Sequence, residues 1–302
     1  MATVAARPPR CSEISAAGGE SLGGTAPQAA AWLLVEQATP WGRDAVRESG
    51  LDARVGGELV RTAKELGLKV VLIRPAAPAR RSPARRRVFA AWLGSLPFVQ
   101  ALSFGSDGEL LELGLPALAR GERLAGGDDH YEPLQLVCTN GRRDACCARY
   151  GPEAAKALAA AAPATAWECT HLGGHRFAAT MLCLPSGACY GRLDPAATVR
   201  AARLTADGLL DLEHLRGLVG RSAAVQAAEI RLRRRLGLER IEDLAPVSER
   251  VDGDGELEVG FATATGETVL VRMRRVVEER ATSCDDDEVE TIASWFPVAG
   301  ED

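Results

Sequence analysis

Most of the thiol and imidazole groups of this chain are concentrated in one short stretch. Six of the eight cysteines fall within residues 138–189, and two of the four histidines lie four residues apart in the same stretch. Thiolate and imidazole are the side-chain groups that bind zinc and iron–sulfur clusters in proteins. This clustering constrains the fold more than any other feature, because a shared site would require the fold to bring several of these cysteines and histidines together.

Charge and hydropathy exclude several classes of protein. The formal net charge is −5, which gives no general attraction for nucleic acid. No run of residues approaches the ~18–20 apolar positions of a membrane-spanning helix, and the first 30 residues lack the apolar core of a secretory signal. We therefore expect a cytoplasmic protein with no nucleic-acid or membrane partner. In that reducing compartment, cysteines serve as metal ligands or reactive thiols more often than as disulfides.

The 302 residues are enough for two or three domains. Residues 1–28 are rich in Ala, Gly and Ser, and we expect them to be poorly ordered. Residues 29–127 are expected to form a small α/β domain, with strands at 31–36, 69–73, 88–93 and 98–103 and a helix at 55–67.

A second succession of strands and helices predicts another α/β unit over residues 128–220. Its expected elements are strands at 134–138 and 165–169, a helix at 152–162 with Pro152 in its first turn, a hairpin over 177–193 and a helix within 196–219. Residues 221–302 differ in pattern, with a strongly charged helix at 222–236 and a hairpin of strands at 257–263 and 268–274. The expected fold class is therefore α/β, with two consecutive units followed by a small α+β tail.

Two segments carry the candidate metal ligands. Cys138 ends a predicted strand, and the polar loop TNGRRDA leads from it to the vicinal pair Cys146 and Cys147. Further on, His171 and His175 flank the sequence LGG, in which glycine lets the backbone wrap closely around an inorganic centre. The loop between Cys138 and Cys147 is wider than the Cys-x₂₋₄-Cys spacing usual for zinc. Ligand chemistry alone nevertheless leaves zinc and iron–sulfur centres both open.

This stretch resembles the sucrase/ferredoxin-like family. The resemblance rests on Cys138, Gly141, Arg143-Asp144, Cys147, Gly151-Pro152 and the segment His171-Leu-Gly-Gly-His175-Arg-Phe-Ala178. The N-terminal segments Trp32-Leu-Leu-Val-Glu36 and Pro40-Trp41-Gly42-Arg43-Asp44 extend it over most of residues 11–240. It implies a fold of two consecutive thioredoxin-like units, the second of which binds a metal cluster.

The resemblance also implies the cofactor, a [2Fe–2S] cluster held by Cys138, Cys147, His171 and His175. Cys146 and Cys169 are the alternatives for the second thiol ligand. Histidine is neutral where thiolate is negative, so this ligand set raises the reduction potential above that of an all-cysteine cluster. The remaining imidazole N–H also allows reduction to couple to protonation.

The function that follows is one-electron transfer between a donor protein and an acceptor protein. Two other classes stay open: a thiol-based redox enzyme or sensor that uses the vicinal cysteines, and a zinc-stabilised interaction module. No pair of carboxylates stands in a recognisable glycosidase context, so a carrier is favoured over a sucrase. Cys183 and Cys189 are expected in the core, and Cys11 and Cys284 are assigned no role.

Overall fold

Residues 9–77, 85–251, 256–284 and 289–298 are described by the structure, which is a computed structural model. They form a mixed α/β fold with a ten-stranded sheet and a four-stranded sheet. The α-helices are α1 Cys11–Ala17, α2 Ala53–Leu66, α3 Leu115–Ala119, α4 Ala145–Ala161, α5 Pro195–Ala206 and α6 Ala223–Leu236. None of the helices in these ranges has the length and hydrophobicity that a membrane crossing requires.

Within the described ranges, fourteen strands build the two sheets. The ten-stranded sheet contains β1 Ala31–Glu36, β2 Lys69–Pro75, β3 Arg86–Trp92, β4 Phe98–Phe104, β5 Asp128–Asp129, β6 Leu134–Cys138, β7 Ala166–Cys169, β8 Met181–Leu184, β9 Ala188–Tyr190 and β10 Leu215–Leu218. The four-stranded sheet contains β11 Leu244–Val251, β12 Leu257–Thr263, β13 Thr268–Ala281 and β14 Val289–Pro297.

The ten-stranded sheet repeats one arrangement twice. In its first half, β1 is parallel to β2, and β3 and β4 continue antiparallel on the other side of β1. In its second half, β6 is parallel to β7, and β8 and β9 continue antiparallel on the other side of β6. The halves meet where β2 pairs antiparallel with β7, with Ile73 opposite Cys169. The α/β units expected over 29–127 and 128–220 are therefore joined in one continuous sheet.

Apolar residues fill both faces of this sheet, as the alternation of side chains along a strand requires. All six residues of β1 are buried, with Trp32 and Leu34 in one core cluster and Leu33 and Val35 in another. The first cluster extends across both halves and includes Cys138 and Cys147. The segment with the candidate ligands is thus attached to a core that both halves share.

Helix α6 lies between the two sheets. Ala228 and Leu232 pack in a cluster with Phe261 of the four-stranded sheet, whereas Ile230 packs in the core of the ten-stranded sheet. The sequence predicts a strongly charged helix here, yet most of its surface is buried. Two of its charges, on Glu229 and Arg233, are buried as an ion pair of 2.8 Å.

The start of α4 differs from the sequence prediction, which places a helix at 152–162. The helix begins at Ala145, because the Asp144 carboxylate accepts a hydrogen bond from the Cys146 N–H at 2.7 Å and caps it. Pro152 therefore lies inside the helix instead of in its first turn. The vicinal cysteines, which the sequence places after a polar loop and before the expected helix, are helical.

Two further expectations need correction. The strand expected from residue 177 begins only at Met181, because residues 175–177 form a short 3₁₀ helix. The N-terminal segment 1–28 was expected to be poorly ordered, but α1 is formed within it and buries Cys11, Ser12 and Ser15. Residues 1–8 lie outside the described residues.

Candidate metal centre

Cys138 and Cys147 are brought together by the packing of α4 against the end of β6. Cys138 is the last residue of β6, and Cys147 lies in the first turn of α4. The two elements approach so closely at Gly151 that a Cβ atom there would lie 2.2 Å from the Cys138 carbonyl oxygen. Glycine is therefore required at this contact, which gives the Gly-Pro pair a packing role and not that of a helix start.

Two thiols and one imidazole form a close group. The Sγ atoms of Cys138 and Cys147 are 3.7 Å apart, and Cys147 Sγ lies 3.9 Å from Nδ1 of His171. The three ligand atoms lie within 4.8 Å of one another, and both cysteines are buried. Two sulfurs bound to one tetrahedral metal lie about 3.8 Å apart, so the spacing suits a shared metal. The hydrogen bond between Cys138 and Cys147, together with the nearby His171, holds the pKa of Cys138 well below its usual range despite burial.

Two cations, the half-buried Lys69 and the buried Arg216, hold the loop between the histidines. Lys69 Nζ donates to the Leu172 carbonyl oxygen at 3.1 Å, and Arg216 Nη1 donates to the Gly173 carbonyl oxygen at 2.9 Å. Burial lowers the pKa of both cations. The loop turns through Gly173 and Gly174 with φ of 96° and 70°, a region that side chains rarely adopt. The sharp turn and the two cations together fix where the histidines lie.

His175 lies beside the group of Cys138, Cys147 and His171. Its ring centroid is 5.2 Å from that of His171. Both of its ring nitrogens are buried, and neither makes a hydrogen bond of normal geometry with the residues that the structure describes. Nε2 faces Asp144, at 3.7 Å from Oδ2. Burial lowers the pKa of His175, and the Asp144 carboxylate only partly opposes this effect.

The two alternative cysteines lie elsewhere. Successive residues of an α-helix are rotated by about 100°, and Cys146 contacts a different set of thiols from Cys147. Its Sγ lies 3.4 Å from the Sγ atoms of both Cys11 and Cys284. Cys169 is buried in the apolar core, and burial raises its pKa well above the usual value. In the described part of the chain, neither Cys146 nor Cys169 joins the group of two thiols and one imidazole.

The sequence predicts no role for four residues that the structure places in this region. Lys69 begins β2 in the first half of the sheet, and Arg216 lies in β10 at its far edge, so only the three-dimensional fold brings them to the histidine loop. Cys11 and Cys284 are separated by 273 residues. Both cysteines lie outside the clustered stretch of residues 138–189, and the sequence does not indicate that they meet.

We predict that Gly174→Ala destabilises the histidine loop more than a matched change elsewhere. A Cβ at Gly174 would lie 2.4 Å from Arg216 Nη2 and 3.0 Å from a ring atom of Phe177. Gly126 has a similar φ of 76°, but a Cβ added there would have no atom within 4 Å. Gly126→Ala therefore introduces the backbone strain without the overpacking. Overpacking should cost Gly174→Ala about 1–3 kcal/mol more in the free energy of unfolding, measured in urea. Equal losses in the two variants would contradict this packing.

The comparisons with known proteins agree with the motifs of this region. The family model described as Sucrase/ferredoxin-like matches residues 22–207, which is more than half of the chain. That range includes Cys138, Cys147, His171 and His175. No match was found among curated proteins, and none among solved structures. The chain belongs to the sucrase/ferredoxin-like family.

Proposed function

We propose that the chain is an electron-transfer protein whose [2Fe–2S] cluster is bound by Cys138, Cys147, His171 and His175. The observation that supports this best is the meeting of two thiols and one imidazole beside a second imidazole whose buried nitrogens make no hydrogen bond of normal geometry with the described residues. The family description, which includes ferredoxin, points in the same direction. The compartment we propose is the reducing cytoplasm, where thiols persist.

The residues fit this cofactor. The 3.7 Å between the Sγ atoms of Cys138 and Cys147 suits two thiolates on one iron. His171 and His175 would hold the second iron, and this would account for the buried nitrogens of His175, since buried polar atoms normally have partners. Nε2 of His175 faces Asp144, which leaves Nδ1 for the metal; carboxylates commonly orient metal-binding histidines in this way. When bound, the cluster would supply one-electron redox chemistry.

Charges of the chain set the reduction potential of such a site. Two neutral imidazoles in place of two thiolates make the ligand set less negative. Lys69, which is half-buried, and Arg216, which is buried, bring positive charge to the same loop. Both effects favour the reduced state, so the proposed potential lies above the value of about −400 mV that is typical of plant-type ferredoxins. The N–H of His175 that faces Asp144 also offers a site where a proton can accompany the electron.

Partner proteins would approach the histidine side of the site. The side chain of His175 is 14% exposed, whereas Cys138 and Cys147 are 1% and 2% exposed. The neighbouring loop carries Arg142, which is exposed, and Arg143, which is partly exposed. Positive charge on this side of the site would favour donor and acceptor proteins with an acidic surface.

The proposed arrangement of domains follows the family resemblance. Each half of the ten-stranded sheet has a parallel strand pair joined by a helix, followed by antiparallel strands, and we propose that each is a thioredoxin-like unit. The unit over 128–220 would be the ferredoxin domain. The unit over 29–127 contains no cysteine and would support it, and residues 221–302 would form an extension. Sucrase activity is not part of the proposal.

Replacing single cysteines tests the ligand assignment. Wild-type protein purified without oxygen should be brown, and Cys138→Ser and Cys147→Ser should lose most of their iron and visible absorption, because each removes a ligand. Cys146→Ser and the core control Cys183→Ala should keep both. A colourless wild-type protein that contains zinc would favour the zinc-stabilised interaction module. A colourless wild-type protein without metal would favour the thiol-based redox enzyme or sensor. Loss of iron in Cys146→Ser but not in Cys147→Ser would shift the ligand by one residue.

Exchanging a histidine for cysteine tests the other half of the site. His171→Cys and His175→Cys should each retain a cluster, because the thiolate replaces the imidazole as a ligand. The added negative charge should lower the potential by on the order of 100 mV or more. The measurement is a potentiometric titration followed by visible absorption, with wild type and Cys146→Ser as controls. Unchanged potentials in both histidine variants would remove histidine ligation from the proposal.

A further inference from the structure

Three cysteines that are distant in sequence form a triangle beside the N-terminus of α4. The Sγ atom of Cys146 lies 3.4 Å from the Sγ atoms of Cys11 and Cys284, and the latter two are 3.5 Å apart. Cys11 and Cys146 are buried, while Cys284 is exposed. The thiols come from α1, from α4 and from the segment after β13, so three separate parts of the chain meet here.

A buried carboxylate completes this group. An oxygen of Asp144 and the three sulfurs all lie within 4.8 Å of one another. Asp144 accepts hydrogen bonds from the N–H of Cys146 at 2.7 Å and of Cys284 at 3.1 Å, and a carboxylate with about four lone-pair sites has capacity beyond these. Burial opposes its ionisation, but these hydrogen bonds hold the pKa of Asp144 below its usual value. The fourth group therefore offers a carboxylate oxygen in addition to the three sulfurs.

We propose that Cys11, Asp144, Cys146 and Cys284 form a second metal site, which binds one structural zinc ion. Sulfurs bound at about 2.3 Å to a tetrahedral ion lie about 3.8 Å apart, close to the spacing found here. Sulfurs on separate irons of a cluster would lie farther apart, so the triangle suits a single ion. A carboxylate oxygen in the fourth position suits zinc, which accepts both sulfur and oxygen ligands, better than Cu(I), which selects sulfur.

The same distances distinguish a metal site from a disulfide. A disulfide bond is about 2.05 Å long and joins only two sulfurs, whereas here three sulfurs are nearly equidistant. The hydrogen bond from the Cys11 thiol lowers the pKa of Cys146 to about 6, against the effect of burial. The thiolate is the form of cysteine that binds metal, and zinc would displace the protons of the three thiols.

Zinc here would attach α1 and the segment that follows β13 to the second half of the ten-stranded sheet. Cys11 lies in α1 and Cys284 follows β13, and neither segment is part of that sheet. Binding energy at such a site adds to the free energy of folding, because the ligands meet only in the folded chain. The site uses none of the four ligands proposed for the cluster. Asp144 connects the two sites, because it also faces His175, a proposed cluster ligand.

Metal analysis of full-length variants tests this site. Protein purified without oxygen is incubated with zinc sulfate, freed of loosely bound metal by gel filtration, and analysed for zinc and iron. Wild type should hold one zinc per chain more than Cys284→Ala, with equal iron. Cys183→Ala, which changes a buried thiol on β8, should match wild type in both metals. Cys138→Ser should lose iron and keep this zinc, so failure of the cluster proposal can be distinguished from failure of this one.

Alkylation of Cys284 gives a second measurement that needs no substitution. The exposed Cys284 thiol should react with iodoacetamide in zinc-free protein. At a zinc concentration of one hundred times the Kd, its modification should slow about 100-fold, because only the unbound fraction reacts. Equal zinc in wild type and Cys284→Ala, or an alkylation rate that zinc does not change, would overturn the proposal. So would a disulfide between any two of the three thiols in the anaerobic protein.

Discussion

The buried carboxylate of Asp144 holds together the parts of the chain on which both groups of thiols depend. Its side chain is fully buried, and burying a charge is costly unless hydrogen bonds satisfy it. Asp144 caps α4 through the Cys146 N–H and binds the C-terminal segment through the N–H of Cys284 and the hydroxyl of Ser283. It also lies 3.7 Å from Nε2 of His175. One carboxylate thereby fixes the start of a helix, the path of a distant segment and the surroundings of a candidate ligand.

The helix that Asp144 caps explains how two adjacent cysteines take part in different groups. Cys146 and Cys147 occupy consecutive positions in the first turn of α4. The rotation of about 100° between them directs their sulfurs to different groups of neighbours. The first turn of a helix also carries partial positive charge from the helix dipole, which stabilises thiolates. The first half of the sheet contributes from farther away, because β2 pairs with β7 and places Lys69 against the histidine loop.

Local patterns in the sequence predicted local structure well. The strands at Leu134–Cys138 and Leu257–Thr263 were predicted with their observed bounds, because apolar runs between turn residues are a local signal. The predicted start of α4 was wrong, because Pro152 has the pattern of a first-turn residue and the cap at Asp144 was not recognised. The continuous sheet was not predicted either, because the pairing of β2 with β7 joins residues almost a hundred positions apart. The grouping of Cys11 with Cys146 and Cys284 depends on the tertiary fold alone.

The central claim is that two histidines and two cysteines hold a [2Fe–2S] cluster in this chain. The most direct measurement is pulsed electron paramagnetic resonance of the reduced protein, prepared with ¹⁵N-labelled histidine. The account predicts strong hyperfine coupling to two histidine nitrogens, with one lost in His171→Cys and one in His175→Cys. A paramagnetic cluster without nitrogen coupling would contradict histidine ligation. An iron-free protein would contradict the cluster itself.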